Sequence, residues 1–456
     1  MKLTVIGGGP AGYVSAITAK RLGAEVLLIE KDELGGTCLN RGCIPTKTII
    51  ASLEQLDKIK QQKYSSQQSF KDLSVDLSSL MERKNSVVET QKKGLTILLK
   101  ERGVKIIHSE AELINPKKVF LKQNNEKIQS DRIIIATGSR PAQIPMLNFD
   151  GERILSSDDL WNLKSIPESI TIIGAGAIGC EFAWIFHLLG SKVTIIELMP
   201  RVLPMEDEDI SKALERLLKK RKIEFYTGVK IEDLKLLENS IELTISNGKK
   251  VISDIILVSV GRKYNTECIK DTEIKLGKKN EILVDESMQT NIEGIYAAGD
   301  VNGKWLLAHV AYTEGEISAK NAMGFNEKMD YSVIPSTIFT VSEVASVGLK
   351  ETEAIERGFK IKKGVFAFRS VGKAHAIGEI DGFAKIILDE ESDRIIGAHI
   401  IGPKASELIH ALCIAIKFKL KGKEFKDLIY SHPTLSECIG EAVRDIYGEA
   451  IHKIDR

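Results

Sequence analysis

The chain has 456 residues, of which 43% are hydrophobic and 28% charged, with a formal net charge of +1. That length exceeds what one core supports and suggests about three domains at ~150 residues each, while the near-neutral balance argues against a disordered chain, a membrane-embedded one or a nucleic-acid binder. Six cysteines are too few for a secreted disulfide scaffold, so any close pair reads as catalytic or metal-binding.

The first strand-like run begins at Leu3, which leaves no room for a signal peptide, and no stretch offers the ~20 apolar residues of a membrane span. A cytoplasmic protein is expected. Residues 3–30, LTVIGGGPAGYVSAITAKRLGAEVLLIE, read as strand, glycine-rich turn, helix and strand. The first glycine, Gly7, suits a tight turn, Gly9 lets the backbone approach a pyrophosphate, and Gly12 lets the helix pack close to the strand. Glu30 closes the second strand, where a carboxylate accepts hydrogen bonds from ribose hydroxyls.

Immediately after comes GGTCLNRGCIPTK, residues 35–47, with Cys38 and Cys43 separated by four residues. A disulfide needs Cα atoms within roughly 7 Å, which a distorted helical turn supplies. Zinc would need two further ligands, and no second Cys or His pair occurs. An inert buried pair fits poorly in a glycine-rich loop ending at Pro45. The polar stretch around residues 51–101 has helical periodicity and reads as solvated helix. A hairpin with Asn124–Asn125 at its turn then leads into DRIIIATG, residues 131–138.

Residues 170–197, ITIIGAGAIGCEFAWIFHLLGSKVTIIE, repeat the first fingerprint. Gly174, Gly176, Gly179, Gly190 and Glu197 stand at a constant offset of 167 from Gly7, Gly9, Gly12, Gly23 and Glu30. A carboxylate at Glu197 would repel a 2′-phosphate, which favours NAD over NADP. Asn247–Gly248 marks a second hairpin turn before DIILVSVG, residues 254–261, now at an offset of 123. The first copy therefore holds 44 more residues, 167 minus 123, and that surplus contains the cysteine motif.

Beyond it, TNIEGIYAAGDV, residues 290–301, reads as an apolar strand ending at Gly299-Asp300. The carboxylate of Asp300 suits either a sugar-alcohol chain or an ordinary helix N-cap. From Pro335 onward, strands at 335–348, 361–369 and 383–401 precede helices near 404–420 and 435–448, a third domain of α+β type. A thiol of pKa ~8.5 needs a base to become a nucleophile. His432, in HPTLSE with Glu437 five residues on, is the candidate; a turn histidine is the plain alternative. Cys180, Cys268, Cys413 and Cys438 are scattered and read as packing residues.

Two fingerprints, GGTCLNRGCIPTK, ATG at 136–138, AAGD at 297–300 and HPTLSE at 432–437, in this order along essentially the whole chain, resemble the pyridine nucleotide-disulfide oxidoreductases. The resemblance implies an α/β fold of two Rossmann-like dinucleotide-binding domains, for FAD and NAD, plus a C-terminal α+β dimerisation domain. On that pattern residues 1–149 and 263–334 form the FAD-binding domain, 150–262 the NAD-binding domain and 335–456 the interface domain.

FAD is then expected on Gly7, Gly9, Gly12, Glu30, Lys47, Ala111, Thr137, Gly138, Ser139, Asp300, Ala308 and His309. NAD is expected on Gly174, Gly176, Ile178, Gly179, Glu181, Glu197 and Gly261. By the same resemblance Cys43 is the thiol beside the flavin and Cys38 exchanges with a lipoyl disulfide, with electrons passing to NAD. His432, oriented by Glu437, would act on the cysteines of the other subunit of a homodimer, and Lys47 and Glu181 would pair beside the flavin. The partner implied is a separate lipoyl-bearing chain of a 2-oxoacid dehydrogenase or glycine-cleavage complex.

Three positions depart from the family pattern. Tyr430 stands where relatives often carry a second histidine, Arg41 puts a positive charge between the cysteines that would favour thiolate, and Phe339–Glu343 reads FTVSE where the family has a proline. Among rival readings, an NADP-linked glutathione-type reductase is opposed by Glu197-Leu198-Met199, and a mercuric reductase by the lack of a cysteine pair after Cys438. A non-catalytic flavin and NAD binder would not need Cys38, Cys43, His432 and Glu437 together.

Overall fold

The computed structural model describes residues 1–61, 74–123 and 125–454. Part of the helix-periodic stretch and Asn124 of the first hairpin turn lie outside the described residues. The chain divides into two compact units: one joins Met1–Pro145, Ser156–Ser165 and Val260–Asp330, the other Met146–Leu155, Ile166–Ser259 and Tyr331–Arg456.

In the first unit, five strands lie in the order Ile295–Ala297, Arg132–Ile135, Lys2–Ile6, Glu25–Glu30 and Lys105–His108, all parallel. Parallel strands are covered on both faces and so read as apolar runs, as the buried Leu3, Val5, Leu28, Ile133 and Ile134 show. The order reverses at Lys2–Ile6, the switch point where such sheets bind ligands beyond their carboxyl ends. Helix Pro10–Arg21 opens with proline in its first turn, where the missing N–H costs nothing. Helix Leu77–Glu101 is capped by Asp76, which accepts from the N–H groups of Ser78 and Ser79.

The second unit repeats the plan: Glu224–Thr227, Lys192–Glu197, Ser169–Ile173, Ile255–Val258 and the short Ile154–Leu155, again all parallel. The repeat holds at the level of register. Leu3 faces Val26 as Ile170 faces Val193, and Leu3 faces Arg132 as Ile170 faces Ile255. Each sheet also carries an antiparallel three-stranded appendage, Ala111–Asn115 with Lys118–Leu121 and Glu126–Gln129 in one unit and Ile231–Leu236 with Ile241–Ile245 and Lys250–Ser253 in the other.

The rest of the second unit is an antiparallel five-stranded sheet, Ser336–Ile338, Val344–Gly348, Arg394–Ile401, Phe383–Asp389 and Ile361–Ala367. Helices Ala405–Lys417 and Glu437–Ile446 close its core around Phe366, Phe368, Leu412 and Ile439. A Cβ at Gly364 would stand 1.9 Å from the Ala442 carbonyl oxygen, so glycine lets helix Glu437–Ile446 lie directly on the sheet. Among the described residues no helix is long and apolar enough to cross a membrane.

Candidate active site

Each fingerprint folds into a turn whose tightness requires its glycines. Gly7 and Gly174 have φ of 103° and 102°, and a Cβ on either would meet the Ala136 or Ser259 carbonyl oxygen at 2.3 or 2.6 Å. At Gly12 and Gly179 a Cβ would come within 1.8 and 1.9 Å of the Gly7 and Gly174 oxygens. Gly176 is different, because among the described residues a Cβ there would find no atom within 4 Å. Packing against the chain does not demand glycine at that position, whereas an approaching phosphate does. Neither helix Pro10–Arg21 nor Ala177–Leu189 has a side-chain cap, so first-turn N–H groups remain for an anion.

Glu30 and Glu197 are both buried and held alike. Glu30 accepts from the N–H of Gly8 at 2.6 Å and of Asp32 at 2.8 Å; Glu197 accepts from Ala175 at 2.6 Å and Met199 at 2.7 Å. A carboxylate has about four lone-pair sites, so both retain capacity for ribose hydroxyls.

The cysteine segment forms two helices with a break between them. Cys38 lies in Gly36–Asn40, and Cys43 starts Cys43–Gln61. The N–H groups of Arg41 and Gly42 both donate to the Thr37 oxygen, at 2.9 and 2.6 Å, and this tight turn brings the sulfurs together. The two thiols lie in hydrogen-bond contact with each other. That bond pushes the Cys38 thiol well above its ordinary value; burial adds to the rise, and the charge of Lys47 partly offsets it. Pro45 does not end a loop, as expected from sequence. It sits in the first turn of the longer helix, where its ring is tolerated.

Arg41 also departs from its expected part. Its guanidinium pairs with Asp32, and Lys47 is the cation whose charge reaches Cys38. The Arg41 carbonyl accepts from the Trp161 indole at 2.6 Å, tying the break to residues 156–165. The remaining thiols are held protonated by burial, Cys413 at about 11 and Cys268 and Cys438 at about 12, with Cys180 higher still.

Asp300 opens a short 3₁₀ turn, Asp300–Asn302, and does not cap helix Ala308–Ala322, whose N-cap is Leu307. It accepts from the Ser139 hydroxyl, and Ser139 in turn accepts from Arg262 Nε at 2.6 Å. Thr137 and Gly138 are fixed by Asn265: Thr137 Oγ1 donates to its carbonyl at 2.6 Å, and Asn265 N–H donates to Gly138 O at 3.0 Å. Ala308 and His309 form the first turn of helix Ala308–Ala322, and Ala111 is buried at the start of its strand.

In the second unit Ile178 and Glu181 lie on helix Ala177–Leu189; Gly261, three residues after strand Ile255–Val258, already belongs to the first unit. The Glu181 carboxylate accepts from Phe339 N–H at 3.0 Å. His432 is 77% exposed, with Nδ1 2.9 Å from Glu437 Oε1, and the other Glu437 oxygen accepts from Thr434 N–H at 2.8 Å. Burial pushes the Glu437 carboxyl up, but His432 and Thr434 hold it below the usual range. Tyr430 leaves this pair to itself: its ring lies against Gly440, and burial pushes the phenol up to about 12.

The family model described as pyridine nucleotide-disulphide oxidoreductase matches residues 1–315, and that family's dimerisation domain matches residues 334–443. The chain belongs to this family.

Among its relatives, the dihydrolipoyl dehydrogenase of Chlamydia muridarum is 42% identical over 96% of this chain and 95% of its own. A dihydrolipoyl dehydrogenase of Bacillus subtilis is 38% identical over 99% and 98%. LpdA from Mycobacterium tuberculosis matches in structure at a TM-score of 0.89, with 28% identity over 97% of this chain and 99% of that one. The HOCl-induced flavoprotein disulfide reductase RclA from Escherichia coli matches at 0.87, with 27% identity and the same coverage.

As a member of this family the chain is an oxidoreductase that uses FAD and NAD, and the glycine turns, uncapped helix ends and buried glutamates of both repeats fit those cofactors. Arg262, Asn265, Asp32 and Trp161 escape a reading of the sequence alone. The first two act across more than 120 residues, on Ser139 and Thr137, a pairing that local spacing does not encode.

Proposed function

We propose that this chain oxidises protein-bound dihydrolipoamide to lipoamide, with FAD as prosthetic group and NAD as final acceptor. The observation that carries the reading is the contact between the Cys38 and Cys43 thiols at a helix break directly downstream of the first dinucleotide turn. The curated relatives named dihydrolipoyl dehydrogenase support it.

In this reading Cys38 is the exchanging thiol. A lipoyl thiolate attacks the Cys38 sulfur of the Cys38–Cys43 disulfide, and Cys43 leaves with the electron pair. The second lipoyl thiol then displaces Cys38, closing the lipoyl disulfide. FAD, when bound, supplies the two-electron link between the dithiol and nicotinamide. His432 takes the proton of the attacking thiol, and Glu437 fixes its ring by holding Nδ1. Lys47 favours thiolate at Cys38; Lys47 and Glu181 also serve the flavin site.

The same reading assigns FAD to Gly7, Gly9, Gly12, Glu30, Ala111, Thr137–Ser139, Asp300, Ala308 and His309. NAD falls to Gly174, Gly176, Ile178, Gly179, Glu197 and Gly261. It divides the chain at 149/150, 262/263 and 334/335, makes it a cytoplasmic homodimer through residues 335–456, and gives it a separate lipoyl-bearing chain as partner.

Turnover of dihydrolipoamide with NAD, with NADP, and of glutathione disulfide as control tests it. The dihydrolipoamide and NAD pair is expected to win by orders of magnitude, and dominant glutathione disulfide turnover would overturn the assignment.

A further inference from the structure

Where strand Ile295–Ala297 ends, the chain must turn out of the first sheet. Ala298 N–H still donates to Ile135 O across the sheet, at 3.0 Å. One residue later Gly299 takes a φ of 78°, and its N–H donates to Glu314 Oε2 at 2.7 Å. The same oxygen accepts from Asn302 Nδ2 at 2.8 Å. Asn302 Oδ1 accepts from Lys304 N–H at 3.0 Å, which fixes the way its amide points. Glu314 and Asn302 are both buried, Glu314 completely. Asp300 stands in the chain between the two groups that Glu314 holds.

The helix that carries Glu314, Ala308–Ala322, is itself seated on the first fingerprint. A Cβ on the next residue, Gly315, would meet the Ala11 oxygen at 2.4 Å, and the Ser15 hydroxyl donates to the Gly315 oxygen at 2.9 Å. The turn lies against the same two helices, since a Cβ at Gly299 would stand 3.1 Å from Ala11 Cβ and 3.5 Å from Ala311 Cβ. One side chain on a tightly packed helix thus sets where Asp300 stands relative to the Gly7–Gly12 turn.

From this arrangement we propose that Glu314 is a positioning residue of the flavin site: it holds Asp300 in register with the Gly7–Gly12 turn, so that one FAD molecule reaches both grips. The inference deepens the proposed function and rests on its assignment of Asp300 to FAD.

Packing alone does not call for an acid at this place. A fully buried carboxyl is costly unless it is hydrogen-bonded, and an apolar side chain of similar volume fills such a space at least as well. What Glu314 adds is an acceptor for a main-chain N–H that has left the sheet, together with a second bond across the turn. Hydrogen bonds to a carboxylate are roughly twice as strong as neutral ones, so the turn is held firmly. The bonds to Asp300 itself do something else. Its carboxylate accepts from Ser139, which accepts from Arg262 Nε at 2.6 Å; these orient the side chain, while Glu314 places the backbone beneath it.

The test is the rate at which the holoenzyme releases flavin at a fixed, sub-denaturing guanidinium concentration, measured as FAD in an ultrafiltrate. It is run on wild type, Glu314→Ala, Asp300→Ala and the double variant. Each single variant is expected to release flavin about tenfold faster, the loss of one hydrogen bond to a charged group. The double variant is expected to match Asp300→Ala, because Glu314 acts through Asp300. Glu314→Gln keeps a carbonyl oxygen for both donors and is expected to stay within about threefold of wild type.

A wild-type release rate in Glu314→Ala overturns the inference. So do losses that simply add in the double variant, which would make Glu314 a general support of the fold, and a Glu314→Gln as leaky as Glu314→Ala. Wild-type release from Asp300→Ala is a different failure: it removes Asp300 from the flavin site, and the inference goes with that assignment. Should Glu314→Ala not fold, Glu314→Asp, which withdraws the oxygen by one methylene, takes its place in the cycle.

Discussion

The two dinucleotide repeats make the same turn and then part company. In both, the third glycine sits so close to the first glycine's carbonyl oxygen that a methyl group would overlap it, at 1.8 Å for Gly12 and 1.9 Å for Gly179. The second glycine separates them. Gly9 is overlain by Gly36, 3.8 Å from where its Cβ would be, whereas among the described residues no atom comes within 4 Å of a Cβ at Gly176. The segments beyond the two acidic strand ends differ as well. After Glu30 the chain runs into Asp32, the helix break and the thiols. After Glu197 it runs into Asp207 and Asp209, which pair with the fully buried Lys385 at 2.8 and 2.7 Å. One turn thus serves two ends: in the first copy the segment beyond it brings chemistry over the cradle, and in the second it anchors the cradle and leaves it open.

The largest expected effect breaks the first copy's specialisation. Cys43→Ser should lower dihydrolipoamide turnover by about 10⁴-fold. It should also abolish the long-wavelength absorbance that a thiolate beside flavin gives on partial reduction. Retention of that band in the variant would show that Cys43 is not the flavin-side thiol.

Next comes the anchor of the second copy. Lys385→Ala leaves Asp207 buried without its cation and leaves Glu351 only Lys363, and a loss of about 3–5 kcal/mol is expected in urea titration. Burial pushes the Asp207 carboxyl up, but His399 and Lys385 hold it below its usual range. At Glu351 burial likewise acts upward and Lys363 and Lys385 outweigh it. Carboxyls depressed on folding stabilise above their unfolded pKa of ~4 and lose that contribution as pH falls through the folded value. The gap between wild type and variant should therefore narrow below about pH 4; a gap that widens in acid would contradict the ion-pair account.

The smallest effect separates packing from ligand approach. Gly176→Ala should leave the thermal midpoint unchanged and raise KM for NAD about tenfold, whereas Gly179→Ala should lower the midpoint itself. Equal loss of stability in both would mean that Gly176 is also a packing residue.

Much of this contrast was legible in the sequence, because glycine spacing, the acidic strand end and the apolar strand are all local. The offsets of 167 and 123 reappear unchanged as strand registers. The His432–Glu437 bond was legible for a similar reason: the five-residue spacing spans a short turn ending at helix Glu437–Ile446. The electrostatics between the cysteines were not. Arg41 occupies the right place in the string, but its charge is drawn to Asp32, nine residues back, by a loop whose path only the fold determines.

Strand Ile295–Ala297 completes the first sheet by pairing with Arg132–Ile135, and Asp300 and its Ser139 bond come directly after. A ribosome must therefore deliver some two-thirds of the polypeptide before the first sheet can finish, and the Ser139–Asp300 bond ripens last among the parts begun first. A nascent chain halted before residue 295 should emerge with both thiols in place and the sheet beside them one strand short.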